Sequence, residues 1–222
     1  MPDYSLVKKV LAFTLLLFPV LSILGFLLHF HSIPAFFHFT LERPPYDAGR
    51  LFDALVAGRG HGFVLAHVIV YLATPFLVIT TMVLAWYLLR SNQWLALAGA
   101  AAGIAGCLAM AGVLSSWLSF AAIGHVAPQY YEGAKAALLE LTKKQGFLGF
   151  NSACSYLAFC GLIILAAGLL VSKQFRAGNM ICIIFGSLLF IFFMDMDNWM
   201  LIGTVFLLIG LLPVARRLWR PA

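Results

Sequence analysis

The sequence predicts an all-α membrane protein, a single bundle of six transmembrane helices over residues 1–222 with two short amphipathic helices beside it. Three observations predict this class. Hydrophobic residues make up 63% of the chain and charged residues only 10%, whereas a soluble domain carries about 25% charged residues. The charged residues are separated by uncharged apolar runs that are long enough to cross a bilayer. Short alternating segments, which a membrane β-barrel requires, do not occur.

The uncharged runs define six spans in order along the chain. Each run is bracketed by charged residues and fits the length of about 20 apolar residues that a helix needs to cross. A helix is the form expected, because it satisfies its own backbone hydrogen bonds in lipid. The predicted spans are residues 8–29, 62–89, 94–122, 147–171, 177–194 and 199–215. Pro19, Pro75 and Pro213 lie inside spans, where each is expected to kink its helix.

Two longer connections each contain a predicted amphipathic helix, at residues 45–57 and 128–145. Both begin near a proline, carry apolar residues at helical spacing and are followed by glycine, as helix ends commonly are. We expect both helices to lie along the outer membrane surface with their apolar faces toward the lipid. The segments also share a His-x-x-Pro pattern, at 31–34 and 125–128. This pattern favours either an internal duplication or a simple likeness between two apolar linkers.

The basic residues predict the orientation in the membrane. With the amino terminus inside, eight Lys and Arg residues fall on short inner segments and six on the longer outer segments. Both termini are therefore expected on the cytoplasmic side. The lipid bilayer is the first expected partner, because its anionic inner leaflet attracts the basic residues. No basic stripe lies elsewhere, so a nucleic-acid partner is not expected.

The histidines gather on the predicted outer side and define a candidate cofactor site. His67 is the leading residue, because an ionisable group inside a span needs a partner, and Tyr71 follows on the same helix face. His29, His31 and His125 complete the set. Imidazole ligates haem and metal ions, so haem, a metal ion or a quinone is the expected ligand. The alternative is that these histidines are interfacial residues that bind no ligand. For His67 the sequence favours neither interpretation over the other.

A second candidate site lies in the turn before the sixth span. Asp195 and Asp197, with methionines around them, offer hard and soft ligands to a metal cation. The alternative is a solvated hairpin turn. The sequence lacks the His-Glu-x-x-His motif of zinc hydrolases and the Gly-x-Ser-x-Gly motif of serine hydrolases, so no catalytic residue is expected.

The third span has a face of small residues. Gly99, Gly103 and Gly106 recur at spacings of three and four residues, which places them together on one side of a helix. Small residues let the backbones of two membrane helices approach closely. We therefore expect this face to pack against another span. Trp199, near the start of the sixth span, is expected to anchor that helix at the interface.

The stretch from Gly62 to Gly106 resembles a loose group of uncharacterised bacterial membrane proteins with six spans. The features that carry the resemblance are Ala66-His67 near the start of the second span, Leu88-Leu89-Arg90 at the inner turn and the Ala/Gly-rich run 95–106. The resemblance implies a helical bundle in the plasma (inner) membrane of a bacterium. It implies no activity, substrate or catalytic residue.

Three functions remain open from the sequence. The first is a non-enzymatic accessory, structural or assembly subunit of a membrane complex, with other membrane subunits or a second copy as partner, which the short inner loops and the apolar perimeter favour. The second is a redox or ligand-binding membrane protein that holds haem, a metal ion or a quinone through the outer histidines. The third is a small-solute or lipid transporter, which the paired outer segments favour.

Overall fold

The structure, a computed structural model, describes residues 4–29, 36–41, 48–58, 60–143, 146–194 and 196–220. Within these ranges the regular structure is helical, which confirms the predicted all-α class. The α-helices, numbered in chain order, are α1 Tyr4–His29, α2 Ala48–Val56, α3 His61–Leu89, α4 Gln93–Leu118, α5 Tyr131–Thr142, α6 Gly146–Ser155, α7 Leu157–Val171, α8 Ala177–Phe192 and α9 Asp197–Trp219. Two 3₁₀ turns, Ser119–His125 and Pro128–Tyr130, join α4 to α5.

Five helical stretches are long and apolar enough to cross a membrane, and they correspond to five of the six predicted spans. They are Leu6–His29, His61–Leu89, Gln93–Leu118, Gly146–Val171 and Asp197–Trp219. The predicted fifth span, 177–194, is shorter, because α8 has 16 residues and a length of about 24 Å, against about 30 Å for the hydrocarbon core. It ends at Phe192 because the backbone of Phe193 leaves the helical region, with φ −122° and ψ 28°.

The five long apolar helices and the shorter α8 pack in a closed ring that follows the order of the chain. Helix α3 packs on α1, α4 on α3, α7 on α4, α8 on α7 and α9 on α8, and α9 also packs on α1. A contact between α3 and α7 fills the centre of the ring. Consecutive helices joined by short connections are expected to be neighbours. The contact between the first and last helices is not local in sequence, and it positions the site described below.

Glycines allow the close approach of helices across the bundle. A Cβ on Gly161 of α7 would lie 2.5 Å from the Cα of Gly103 in α4, and a Cβ on Gly99 would lie 2.6 Å from a leucine side chain of α7. Between α8 and α9, a Cβ on Gly186 would lie 2.5 Å from the carbonyl oxygen of Gly203. None of these positions has room for a side chain. The predicted packing face of α4 is therefore confirmed.

The fourth span is divided at Tyr156, a break that the sequence did not indicate. The hydroxyl of Ser155 donates to the carbonyl of Ser152, 2.7 Å away, and such a local bond competes with the helical ladder. The backbone of α4 passes close by, since a Cβ on Gly106 would lie 2.5 Å from the carbonyl carbon of Leu157. The spans that contain proline, by contrast, continue through it without interruption.

The two helices that were predicted at the outer surface pack against each other and against the rest of the protein. The predicted helix 45–57 is observed as α2, and 45–47 lie outside the described residues. The predicted helix 128–145 divides into a 3₁₀ turn and α5, and 144–145 lie outside the described residues as well. Phe52 and Leu55 of α2 and Leu138 of α5 are buried in a small apolar cluster of their own. Their apolar faces were expected to contact lipid. Much of that surface contacts protein instead, because the two faces are adjacent and bury each other.

Candidate functional site

Three of the polar residues predicted from the sequence meet at one end of the bundle, where α1 and α4 end and α3 and α9 begin. We call it the histidine end. His29 is the last residue of α1, His67 lies in the second turn of α3, and Asp197 is the first residue of α9. The ring places these residues side by side because α1 packs between α3 and α9.

His29 is paired with Asp197. The Nδ1 atom of His29 lies 2.9 Å from Oδ1 of Asp197, so Nδ1–H donates to the carboxylate. The side chain of His29 is 16% exposed and that of Asp197 33% exposed. The second ring nitrogen of His29, Nε2, is buried and has no hydrogen-bond partner among the described residues. Burial of a polar atom without a partner costs about 1–3 kcal/mol, which makes this nitrogen the notable feature of the site.

His67 lies directly beside His29. The ring centroids are 5.0 Å apart and the ring planes are tilted by 37°. The Nδ1 atom of His67 is 2.8 Å from the carbonyl oxygen of Phe63, one turn earlier in α3. Since a carbonyl oxygen only accepts, Nδ1 carries the proton in this contact, and in the neutral ring the lone pair lies on Nε2.

Aromatic rings enclose the histidine pair. The ring of Phe63 is 4.2 Å from that of His67 and 6.0 Å from that of His29, between centroids. Trp117, near the end of α4, lies 5.8 Å from His67. Phe63 and Trp117 also pack against the apolar cluster under α2 and α5. Helices α2 and α5 therefore cover the side of the site that α3 and α4 form, and the apolar rings limit the access of water to the imidazoles.

The start of α9 is fixed by side-chain bonds to the segment 36–41. The amide Nδ2 of Asn198 donates to the carbonyl oxygens of Phe36, at 2.5 Å, and His38, at 3.2 Å. The indole Nε1 of Trp199 donates to the carbonyl of Thr40 at 2.8 Å. Trp199 was expected to anchor the helix at the membrane interface. In the structure it holds two chain segments together, because its indole N–H donates to the backbone of the segment 36–41.

The predicted site residues divide into three groups. His29 and His67 come together as a pair, and Asp197 joins them as the partner of His29. His31 and Asp195 lie outside the described residues. His125 is exposed in the 3₁₀ turn after α4, and Tyr71, 36% exposed, lies one turn beyond His67 and outside the aromatic enclosure.

The metal patch expected around Asp195 and Asp197 receives no support. Within the described part of the chain, no three His, Cys, Asp or Glu residues are grouped as ligands for a metal ion. Asp197 is engaged by His29, a contact that the sequence did not indicate because 168 positions separate the two residues. The aromatic walls were also missed. Phe63 has a local signal, because it precedes His67 by one helical turn, whereas Trp117 has none.

At the opposite end of the bundle, where α3 and α7 end, one arginine of α9 contacts the two turns that follow these helices. We call this end the basic end. Nη1 of Arg217, in the last turn of α9, donates to the carbonyl of Gln174 at 2.9 Å, and its guanidinium lies over the rings of Tyr87 and Phe175, 5.3 and 5.1 Å from their centroids. The amide of Gln174 in turn donates to the carbonyl of Tyr87 and to the hydroxyl of Ser91. These contacts connect α9 to the short turns after α3 and α7.

Helix α4 has the least contact with the rest of the bundle among the five long apolar helices. Only 22% of its apolar window is buried, against 39–50% in the other four. Its glycine face is turned inward. Its exposed face carries a stripe at helical spacing, formed by Trp94, Ala98, Ala101, Ala105 and Leu108. We call this stripe the alanine face.

Comparison of the chain with protein-family models, with curated proteins and with solved structures found no match. No function therefore comes to the chain from a relative. The chemistry open to the histidine end follows from its own side chains: an imidazole nitrogen can ligate a metal or exchange a hydrogen bond, and a carboxylate can orient that imidazole. The alanine face offers surface for packing and no polar group.

Proposed function

We propose that the chain is a multi-pass protein of a bacterial plasma (inner) membrane and crosses it six times, with both termini cytoplasmic. Five long apolar helices support a membrane location. Helix α8 completes the sixth crossing, with a shortfall of about 6 Å that the bilayer accommodates by local thinning. The orientation rests on the basic end, where Lys and Arg residues concentrate. The bacterial source rests on the resemblance noted in the sequence. In this arrangement α2 and α5 lie at the outer surface, over the histidine end.

Within that membrane, the proposed function is that of a non-enzymatic accessory or assembly subunit of a membrane complex. The observation that carries this proposal is the alanine face of α4. In lipid, apolar surface alone does not drive association, and helices associate where small residues permit close van der Waals packing. Ala98, Ala101 and Ala105 provide such a surface on the helix that is least covered by its own bundle. The proposed occupant is a transmembrane helix of a partner subunit.

Site-specific photocrosslinking in native membranes tests this proposal. A photoreactive phenylalanine analogue at Ala101 should give a crosslinked product of one defined mass. The same analogue at Leu72, which is 55% exposed on α3, should give only lipid adducts. A product with twice the mass of the chain would show that the partner is a second copy of the chain and not a different subunit.

A bulky substitution provides the decisive control for this contact. Ala101→Leu should abolish the crosslink from Ala105 and the co-migration of the chain with its complex on native gels, because the added side chain separates the helices. Val205→Leu, which enlarges an exposed residue of α9, should leave both unchanged. The proposal would be contradicted if the analogue at Leu72 gave as much crosslinked protein as the analogue at Ala101. It would also be contradicted if the Ala101→Leu variant still migrated with its complex.

The second candidate function is ligand binding at the histidine end, with haem, a metal ion or a quinone as the ligand. The observation that favours it is the buried, partnerless Nε2 of His29 beside the ring of His67. Gently purified protein should then carry a Soret absorption, a stoichiometric metal or an extractable quinone. The His67→Ala variant should lose it. Protein that carries none of the three, and takes up none when they are supplied, would contradict this candidate.

Transport, the third function considered from the sequence, is not proposed. A carrier needs polar groups inside the bundle that can meet a solute. The buried threonine hydroxyls donate to backbone carbonyls instead: Thr74 to Val70, Thr80 to Phe76 and to Leu15 of α1, Thr81 to Leu77 and Thr204 to Met200. This back-bonding satisfies the hydroxyl within an apolar helix. The hydroxyls of Ser22 and Ser187, which are also buried, have no partner among the described residues, and each lies singly on its own helix, α1 or α8.

A further inference from the structure

We propose that the basic end binds one molecule of an anionic phospholipid, with the phosphate of its headgroup held by Arg217, Arg90 and Lys173. The inference goes beyond the general attraction of Lys and Arg to an anionic leaflet, because it assigns the headgroup to one position. It is independent of the alanine face, of the histidine end and of the orientation in the membrane. All three residues are exposed, so a headgroup in the adjacent leaflet can reach them.

Arg217 is held in position and retains donors for a ligand. Its Nη1 atom donates to the carbonyl of Gln174 at 2.9 Å, and its guanidinium lies over the rings of Tyr87 and Phe175, 5.3 and 5.1 Å from their centroids. A guanidinium has five N–H donors in a planar arrangement that matches the oxygens of a phosphate. The bond to Gln174 is the only hydrogen bond of this side chain to the described residues. The remaining donors are therefore available to an anion.

Arg90 and Lys173 lie beside Arg217 because a chain of hydrogen bonds joins their neighbours. The carbonyl of Gln174 accepts from Arg217, and the side-chain amide of Gln174 donates to the hydroxyl of Ser91 at 3.0 Å. Lys173 directly precedes Gln174 in the chain, and Arg90 directly precedes Ser91. Since consecutive Cα atoms are about 3.8 Å apart, three cationic residues gather around one hydrogen-bonded unit.

The backbone of Lys173 provides an independent argument. Lys173 has φ 53° and is the only residue other than glycine with a positive φ in the described part of the chain. It follows α7 in a Schellman motif, in which its N–H donates to the carbonyl of Leu170 at 3.1 Å and the N–H of Gln174 donates to that of Leu169 at 3.3 Å. Glycine is the usual residue at this position, because a side chain is strained there. A lysine here is expected if its ammonium group has a ligand.

The positive charges of these three residues have no carboxylate partner in the described structure. Residues 54–131, 141–194 and 198–222 contain no Asp or Glu, and these segments include both turns and the end of α9. Neither of the described ion pairs includes any of the three cations. Basic sites between membrane helices bind the anionic headgroups of lipids, and such a headgroup supplies the opposite charge.

Apolar residues beside the cations favour a lipid over a free phosphate ion. Leu89 precedes Arg90 and is 45% exposed, and Val171, two residues before Lys173, is 81% exposed. The acyl chains of a lipid cover such surface while its phosphate contacts the cations, whereas free phosphate leaves the surface uncovered. A zwitterionic lipid has the same phosphate but adds a trimethylammonium group, which the three positive charges repel. We therefore expect a ligand with a net negative charge.

Native mass spectrometry of the full-length protein in detergent tests the inference. Phosphatidylglycerol, phosphatidylcholine and inorganic phosphate are the three probes, and each is titrated separately. We expect one molecule of phosphatidylglycerol per chain to be retained, with an affinity at least tenfold above that for phosphatidylcholine. Inorganic phosphate should not be retained.

Two variants locate the site. Lys173→Gly should lower the affinity for phosphatidylglycerol at least threefold, while the melting temperature of the lipid-free protein stays equal or rises, because glycine adopts a positive φ without strain. Arg90→Gln should also lower the affinity at least threefold, and the double variant at least tenfold. Lys135→Gln is the matched control, because it removes an exposed cation that lies over an aromatic ring, as Arg90 does, but on α5. It should leave the affinity unchanged.

A third variant tests the planar donors of the guanidinium. Arg217→Lys keeps the positive charge but lacks the planar fork, so the affinity for phosphatidylglycerol should fall at least threefold. Thermal unfolding compares each variant with the wild type, so that a folding defect is recognised. If Arg217→Lys fails to fold, Lys173→Gly and Arg90→Gln decide.

Three results would overturn the inference. The first is equal affinity for phosphatidylglycerol and phosphatidylcholine. The second is a loss of affinity in Lys135→Gln as large as that in Lys173→Gly, which would show attraction by net charge alone. The third is retention of inorganic phosphate as tight as that of phosphatidylglycerol, which would reject a lipid as the ligand. None of these results bears on the partner-subunit proposal, which the photocrosslinking tests separately.

Discussion

Gly161 of α7 faces Gly103 of α4 so closely that a Cβ on Gly161 would lie 2.5 Å from the Cα of its neighbour. The two helices therefore meet backbone to backbone near the middle of the predicted fourth span. This contact suggests the first test of the fold, because it leaves no flexible side chain that could move aside.

Gly161→Ala is expected to destabilise the protein by about 1–3 kcal/mol, since an added methyl group forces α4 and α7 apart. Gly178→Ala is the control, because a Cβ there has no atom within 4 Å. Thermal unfolding in detergent measures both. Equal melting temperatures for the two variants would contradict the close helix contact.

The His29–Asp197 pair is expected to stabilise the contact between α1 and α9. A hydrogen bond to a charged group contributes about 1.5–3 kcal/mol, and partial exposure of both residues brings the expected coupling to about 1 kcal/mol. A double-mutant cycle with His29→Ala and Asp197→Ala measures it. The exposed pair Lys143–Glu140 is the comparison, and a cycle there should give at most about 0.5 kcal/mol. Coupling no larger at His29–Asp197 than at the surface pair would contradict a stabilising role for this contact.

Arg217→Lys is expected to loosen the basic end. Lysine lacks the planar guanidinium that lies over Tyr87 and Phe175, so a loss of about 0.5–1 kcal/mol is expected. Arg216→Lys, at the neighbouring exposed position, should have no measurable effect. Thermal unfolding of the two variants in parallel tests the contact, and identical melting curves would show that the ring contacts contribute nothing.

The proposed orientation predicts a labelling pattern in intact cells. In a background without the four native cysteines, Tyr130→Cys should react with a membrane-impermeant thiol reagent, because Tyr130 is 64% exposed near the histidine end. Lys173→Cys, at the basic end, should react only after the cells are opened. Labelling of Lys173→Cys in intact cells, with Tyr130→Cys protected, would contradict the proposed orientation and indicate the opposite one.

The helices could be predicted from the sequence because a helix depends on the residues within its own segment. A long uncharged apolar run favours a backbone that satisfies its own hydrogen bonds. The glycine spacing in α4 predicts a packing face, although it does not identify the helix that packs there. The end of α8 at Phe192 and the break at Tyr156 were missed, since neither has a proline and both depend on the conformation of a few residues and their neighbours.

The histidine end was only partly predictable, for a related reason. His67 draws attention as an ionisable residue inside an apolar run, which is a property of the sequence alone. Its neighbours come from elsewhere: His29 from the end of α1, Trp117 from α4 and Asp197 from α9. Those contacts exist because α1, α3, α4 and α9 are neighbours in the ring of helices. The periodicity of the sequence does not predict which helices become neighbours.

The contact of α9 with α1 has a consequence for biosynthesis. A ribosome makes α1 before α9, so in the proposed membrane location the face of α1 that α9 covers stays exposed while the helices between them are inserted. Asp197 can pair with His29 only after α9 has been made. The ring therefore cannot close during the synthesis of α1 to α8, and the insertion of α9 is the step that completes it.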